Sequence, residues 1–186
     1  MGFYACSTKP MINDLGSIND SKQVWFADDA TAAGIITDLY GWWMRVSEIG
    51  PHYGYYPNAS KTYLIVKPEY VNAAKSQFEG TGVIVTTDGK RHLGAAIGSL
   101  EFKEEYVRDL VDKWVGDIES LSDIAKVDPH SAYAAYSFGL RHKWTYSQRT
   151  IPDTSSLYEP LETIIATKFI PALLTMFTHH VFYRRQ

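Results

Sequence analysis

Two carboxylates stand side by side at Asp28 and Asp29, within the run Gln-Val-Trp-Phe-Ala-Asp-Asp-Ala-Thr-Ala-Ala-Gly over residues 23–34. Adjacent carboxylates repel, and a bound cation is the ordinary way for both to stay ionised. Mg2+ suits such a pair, because its hard octahedral shell takes one or two carboxylates and fills the rest with water and substrate phosphate oxygens. The chemistry this implies is phosphoryl or nucleotidyl transfer. An Asp pair also occurs at exposed turns and helix N-caps, and Asp29 ahead of residues 30–40 is compatible with a helix start.

The surrounding elements favour a hairpin. Residues 23–27 have strand composition and residues 30–33 are small enough to return as a second strand, which predicts a tight hairpin with both carboxylates at its tip. Such turns favour Asn-Gly or Asp-Gly, since their central residues often need positive φ. Two Asp residues there are a local cost, and that cost points to a site.

Upstream, residues 2–15 predict a short helix interrupted or restarted at Pro10, followed by a turn-rich linker over 16–21. Downstream, Ile35, Leu39, Trp42, Val46 and Ile49 recur at steps of four and three, which predicts an amphipathic helix ended by Gly50 and Pro51. Residues 63–66 read as a buried strand, and Pro68 and Gly80 bracket a short helix with an inner face of Val71, Ala74 and Phe78. Residues 83–86 read as a strand, Asp88-Gly89 as a hairpin turn and residues 91–97 as the returning strand. Beyond Ser99 the stripe Phe102, Tyr106, Leu110, Trp114, Ile118, Leu121 and Ala125 predicts a long helix. Two further helices are expected over 131–149 and 159–177, the last kinked at Pro171.

At 186 residues, with 45% apolar and 21% charged residues, the chain matches one domain with a real core or a piece of a larger protein. One cysteine, Cys6, excludes an internal disulfide framework and a multi-cysteine zinc site, and favours an intracellular location, nuclear or cytoplasmic. No signal-peptide pattern opens the chain. The longest uncharged apolar stretch near the end, residues 169–183, carries Pro171, His179 and His180 and falls short of the roughly 20 residues of a membrane span, so no membrane partner is expected. The net charge of −3 is unusual for a protein that grips nucleic acid. The charges are segregated, however: residues 101–128 hold nine acids and four bases, whereas residues 129–152 hold Arg141, Lys143 and Arg149 and no acid.

Three features follow the Asp pair in fixed order: an amphipathic helix, then Gly54-Tyr55-Tyr56-Pro57-Asn58-Ala59-Ser60-Lys61-Thr62 entering a strand, then a hairpin ending His92-Leu93-Gly94. In this order they resemble the last three palm motifs of a reverse transcriptase, most like those of non-LTR and related retroelements. The resemblance covers about residues 3–100, and the helical remainder resembles the thumb and connecting region. It implies an α+β fold, with a partial polymerase palm of short antiparallel hairpins and packed helices over residues 1–99 and an α-helical thumb-like region over 100–186. Asp28 would be the principal ligand of two Mg2+ (or Mn2+) ions, with Asp29 a second ligand or support, the metals clamping the attacking 3′ oxygen and the leaving pyrophosphate. Lys61 would lie near the incoming deoxynucleoside triphosphate and protonate pyrophosphate; read alone, it is a surface lysine before a strand. Leu93 and Gly94 would lie near the primer terminus, the glycine allowing close backbone approach. Phe26 would rest against the nucleic-acid terminus, or face the core as an alternating strand residue. Arg141, Lys143 and Arg149, interleaved with His142, Trp144 and Tyr146, fit a thumb helix on an RNA template and DNA primer, while a plain amphipathic helix would make Trp144 a core residue.

The resemblance is incomplete. The family carries another metal-binding Asp on a strand before this hairpin, a glycine-containing motif that positions nucleotide and template, and fingers; none of these precedes residue 22. The expectation is a fragment of an RNA-directed DNA polymerase, inactive without the upstream fingers and palm segment. The competing expectation is a catalytically silent retroelement remnant that binds nucleic acid or a protein partner. His179 and His180 do not share a helix face and are read as a chain end.

Overall fold

In the structure, a computed structural model that describes residues 2–175, Pro10 does not break the first helix: α1 runs Gly2–Ser17 straight through it. An interior proline removes a backbone hydrogen bond and costs about 3 kcal/mol. Met11 and Leu15, one turn apart and both fully buried, offset that cost in the first core. There they meet α2 (Ile36–Ile49), whose Trp42, Trp43, Val46 and Ile49 are buried. The expected α2 face therefore holds from Leu39 onward, but Ile35 precedes the helix and is 66% exposed.

An ion pair fixes the register of these two helices. Arg45 donates from Nε to Asp14 Oδ1 at 3.0 Å and from Nη2 to Asp14 Oδ2 at 2.8 Å, while its Nη1 reaches Glu48 at 3.1 Å. The Arg45 guanidinium holds the Asp14 carboxyl below the usual carboxylate range. A depressed folded pKa contributes stability above the unfolded carboxylate value and loses it as pH falls through the folded value. Thermal unfolding followed between pH 5 and pH 2 is thus expected to show a smaller loss in Asp14→Asn than in wild type; parallel curves would contradict this.

The hairpin β1 (Lys22–Phe26) and β2 (Asp29–Ala33) packs one face on this core. Gln23 is the junction: its Nε2 donates to Ile12 O at 2.7 Å, and its Oε1 accepts from Trp25 Nε1 at 2.9 Å and from Trp42 Nε1 at 3.1 Å. One side chain ties α1, β1 and α2. Gln23→Leu keeps the volume and orphans two indole donors, so a loss of roughly 2–3 kcal/mol is expected by urea denaturation.

The rest of this unit is a β3–α3–β4 crossover, in which β3 (Tyr63–Ile65), α3 (Val71–Gln77) and β4 (Ile84–Thr86) follow in chain order. Here two expectations fail together. β4 pairs with β3, and in parallel, so the unit is not built of antiparallel hairpins alone; and Asp88-Gly89 is not a hairpin turn. A helix joins the two strands, and a helical crossover returns the chain in the parallel sense. Leu64, Ala74 and Phe78 are buried as expected.

The chain divides into two compact units, the first ending at Thr87 and the second beginning at Asp88. The boundary falls before the hairpin expected to close the first region. That hairpin, β5 (Gly89–His92) with β6 (Ala95–Gly98), buries Ala96 in the core of the helical unit. Gly89 sits opposite Gly98 in the ladder, where a Cβ on Gly98 would lie 2.3 Å from Gly89 Cα. The glycine at 89 therefore serves a close strand crossing instead of a turn.

The spine of the second unit is α4 (Leu100–Ala125), capped by Ser99, whose Oγ accepts from Phe102 N at 3.1 Å. Its buried stripe is Val107, Val111, Trp114, Ile118, Leu121 and Ala125. The expected stripe agrees from Trp114 onward; nearer the start, Phe102, Tyr106 and Leu110 are the half-buried flank. Asp128 caps α5 (Pro129–Ala135), which continues through a π turn (Tyr136–Leu140) into α6 (Arg141–Thr150). Next comes α7 (Glu159–Ile164), followed by a second π turn (Ile165–Phe169) and helix as far as residue 175. Pro171 lies just after this π turn, and the wider turn accommodates the missing backbone donor. Phe177, His179 and His180 lie outside the described residues. Among the described residues no helix is long and apolar enough to cross a membrane.

Candidate metal and nucleic-acid site

The register of the first hairpin pairs Phe26 with Asp29, so the two central turn residues are Ala27 and Asp28. This corrects the expected tip. Asp28 occupies the second central position and Asp29 opens the return strand, while the positive φ falls on Ala27, at +54°. A type II′ turn requires positive φ at its first central residue and normally takes glycine there. Alanine in that place is strained, and backbone strain of this kind concentrates at functional sites.

Alternation along the strands then sorts the side chains. Gln23, Trp25, Ala30 and Ala32 face the core, and Trp25 packs edge-on against Tyr55 with ring centroids 5.1 Å apart. The opposite face carries Val24 at 68% exposure and Phe26 at 64%, with Asp29 directly across from Phe26. The reading of Phe26 as a core residue is therefore excluded. What results is an exposed apolar strip ending in two exposed carboxylates, neither of which enters an ion pair among the described residues.

Two adjacent carboxylates match the donor set of Mg2+, which uses few protein oxygens and retains water and phosphate ligands. Among the described residues, no group of three or more His, Cys, Asp or Glu side chains is gathered into a metal centre. Asp28 and Asp29 alone bring two adjacent carboxylates to this hairpin.

Lys61 belongs to the same unit but to a different turn. Asn58 Oδ1 accepts from Ser60 N at 3.1 Å and Ser60 Oγ at 2.8 Å, and Thr62 Oγ1 donates to Asn58 O at 2.8 Å. These bonds wind the 3-10 turn Ala59–Lys61 directly ahead of β3 and leave the Lys61 side chain exposed. The Asn, Ser and Thr of this motif are there to build the turn that presents the lysine.

In the second unit, Leu93 and Gly94 form the two-residue turn between β5 and β6, with φ of +48° and +84°. Positive φ at both centres defines a type I′ turn, and a leucine pays about 1–2 kcal/mol to adopt it. Two tyrosines hold that turn: Tyr106 of α4 donates its hydroxyl to Gly94 O at 3.1 Å, and Tyr146 of α6 donates to Leu93 O at 2.5 Å. A Cβ on Gly94 would approach Tyr146 Cε1 to 3.3 Å. Ala27 and Leu93 are two of the three non-glycine residues with positive φ among those described. Both lie on the candidate hairpins.

The α6 residues separate by face. Trp144 is buried at 9% exposure, 6.1 Å from Trp114, and is a core residue. Arg141, Lys143 and Arg149 are exposed, Lys143 lying 3.8 Å from Asp117 of α4. Tyr146 projects toward the Leu93–Gly94 turn, so the basic helix and the turn form one surface. The clasp was hidden in the sequence because Tyr106 fits the α4 stripe and Tyr146 fits the basic-aromatic run; nothing in either pattern signals a hydroxyl aimed at a turn carbonyl. The candidate residues fall into two groups, Phe26, Asp28, Asp29 and Lys61 in the first unit and Leu93, Gly94, Arg141, Lys143 and Arg149 in the second. Comparison with family models, with curated proteins and with solved structures finds no match to this chain.

Proposed function

We propose that this chain is the carboxy-terminal palm and thumb portion of an RNA-directed DNA polymerase. The observation that carries the reading is the first hairpin: a strained two-residue turn that sets Asp28 at the tip, with Asp29 and Phe26 cross-strand beside it on the exposed face. Asp28 and Asp29 hold the divalent cation, which when bound supplies charge neutralisation for the attacking 3′ oxygen and the leaving pyrophosphate. Phe26 and Val24 offer an apolar bed on which a sugar or base edge at the primer end rests without displacing water from either carboxylate. Lys61 donates a proton to the departing pyrophosphate, a task suited to an ammonium on a flexible stem. The Leu93–Gly94 turn, immobilised by its two tyrosines, gives a primer backbone a fixed surface, and Arg141 and Arg149 neutralise phosphates beside it.

The remaining ligands and the triphosphate-holding elements come from another part of the enzyme, so the 186-residue chain alone extends no primer. The test is DNA synthesis on a primed RNA template, with Mg2+ and deoxynucleoside triphosphates, by the product of the longest reading frame containing these residues. Template-directed extension by that product supports the proposal. Failure to extend on RNA or DNA, with the product folded, overturns it in favour of a silent binding remnant.

A further inference from the structure

The helix over residues 129–150 keeps Ala132, Tyr136, Leu140 and Trp144 on its inner side, three successive steps of four. At 100° per residue, three such steps drift by about 120° around an α-helix, enough to carry one of them out of the core. The π turn Tyr136–Leu140, with its wider i→i+5 winding, absorbs the extra residue and keeps all four inside. On the other side of that turn stands Phe138, 83% exposed and the most exposed large hydrophobic among the described residues. Gly139 follows it, and a Cβ there would meet nothing within 4 Å. A bare aromatic ring held in open space by a regular turn differs from an ordinary surface leucine.

The segment that carries it holds one sign of charge. No acid occurs over residues 129–152, and Arg141, His142 and Arg149 follow Phe138 on exposed positions of the next turns. Arg141 and Arg149 enter no ion pair among the described residues. A membrane would call for a broad apolar face, whereas the exposed positions here set Phe138 and Tyr133 among Ser131, Arg141, Gln148 and Thr150. Bases interleaved with single aromatic rings are the pattern that grips a strand whose bases are unpaired, the cations taking phosphates and the ring taking a base face.

We propose that Phe138 is a stacking position for an unpaired base of single-stranded nucleic acid, with Arg141 and Arg149 holding the adjoining phosphates. This rests on the reading of the second unit as a nucleic-acid surface and adds the strand state that it selects. Tyr146, and with it the Leu93–Gly94 turn, lies eight residues along the helix, about 12 Å at 1.5 Å per residue.

The experiment is fluorescence anisotropy at low salt with a labelled single-stranded 12-mer and a blunt duplex of the same sequence, using the 186-residue chain. The expected result for Phe138→Ala is a roughly 10-fold loss on the single strand, no change on the duplex and an unaltered salt slope, with Phe138→Trp restoring affinity. Arg141→Gln with Arg149→Gln is expected to weaken both ligands and to shallow the single-strand salt slope by about 1.4. If the double variant weakens binding while Phe138→Ala binds the single strand as wild type does, the stacking proposal falls and the nucleic-acid reading stands. If wild type binds neither oligonucleotide, both fall. Capture of the wild-type chain but not Phe138→Ala by phosphatidylserine vesicles, with oligonucleotide binding equal in the two, overturns the proposal in favour of a membrane contact. Because Phe138 touches solvent on most of its surface, the alanine variant keeps the wild-type circular dichroism.

Discussion

Trp114→Ala is expected to cost the second unit about 3–5 kcal/mol, a large share of the stability of a typical domain. Trp114 is 4% exposed at the middle of α4 and meets rings from α6 and from the segment before α7. Its ring stacks on Tyr158 with centroids 6.4 Å apart and meets Trp144 edge-on at 6.1 Å. Tyr158 in turn donates to Ser147 Oγ at 2.8 Å, and burial pushes its hydroxyl pKa up. Removing the indole takes away the surface on which α4, α6 and the segment before α7 all rest. Ser147 and Tyr158 cannot close the cavity without breaking their own bond. Guanidinium denaturation followed by far-ultraviolet circular dichroism reads the loss, and Ile124→Ala, at a position 50% exposed on the same helix, supplies the control that stays within about 0.5 kcal/mol. A loss below 1 kcal/mol for Trp114→Ala would mean that the packing at the centre of the unit differs from the one described.

The second large effect falls on chemistry. In the proposed full-length polymerase, Asp28→Ala is expected to lower nucleotide addition by at least about 10³-fold, equal to roughly 4 kcal/mol of transition-state stabilisation. Asp28 is an exposed residue at the turn centre, whereas Asp29 lies in the ladder opposite Phe26. Asp29→Ala should accordingly cost less, on the order of 10–100-fold, as removal of a supporting group around a metal does. Lys61→Ala should lower the rate while leaving the affinity for primer and template unchanged, whereas Lys61→Arg, which keeps charge but holds its proton too firmly, should restore little. Single-turnover incorporation separates these effects from binding. Equal activity of Asp28→Ala and wild type would remove the metal site from this hairpin.

Legibility in the sequence followed the length of the periodic signal. α4 was readable because seven apolar positions at steps of three and four leave no other periodicity open. The first hairpin was readable from strand composition on both sides of the Asp pair, but its register was not. A shift of one residue moves the strained position from an aspartate to Ala27, and only the pairing of Phe26 with Asp29 decides between them. The β5–β6 hairpin was misplaced because Asp-Gly is the stronger local turn signal, while Leu-Gly is a poor one held in place by two distant tyrosines. The persistence of α1 through Pro10 likewise depends on Met11 and Leu15 meeting α2, a tertiary gain that overrides a local penalty. The π turns left no mark of their own in the sequence, since a one-residue surplus is visible only once the inner side of the helix is known.

The most direct test of the central claim is a Mn2+ titration of the isotope-labelled chain, read as paramagnetic broadening of its backbone amides. The account predicts broadening centred on Ala27, Asp28, Asp29 and Ala30 at sub-stoichiometric metal, reversed by excess Mg2+ and lost in Asp28→Ala with the hairpin's other resonances unmoved. Broadening that is spread evenly over the acidic α4, or unchanged by Asp28→Ala, would contradict it.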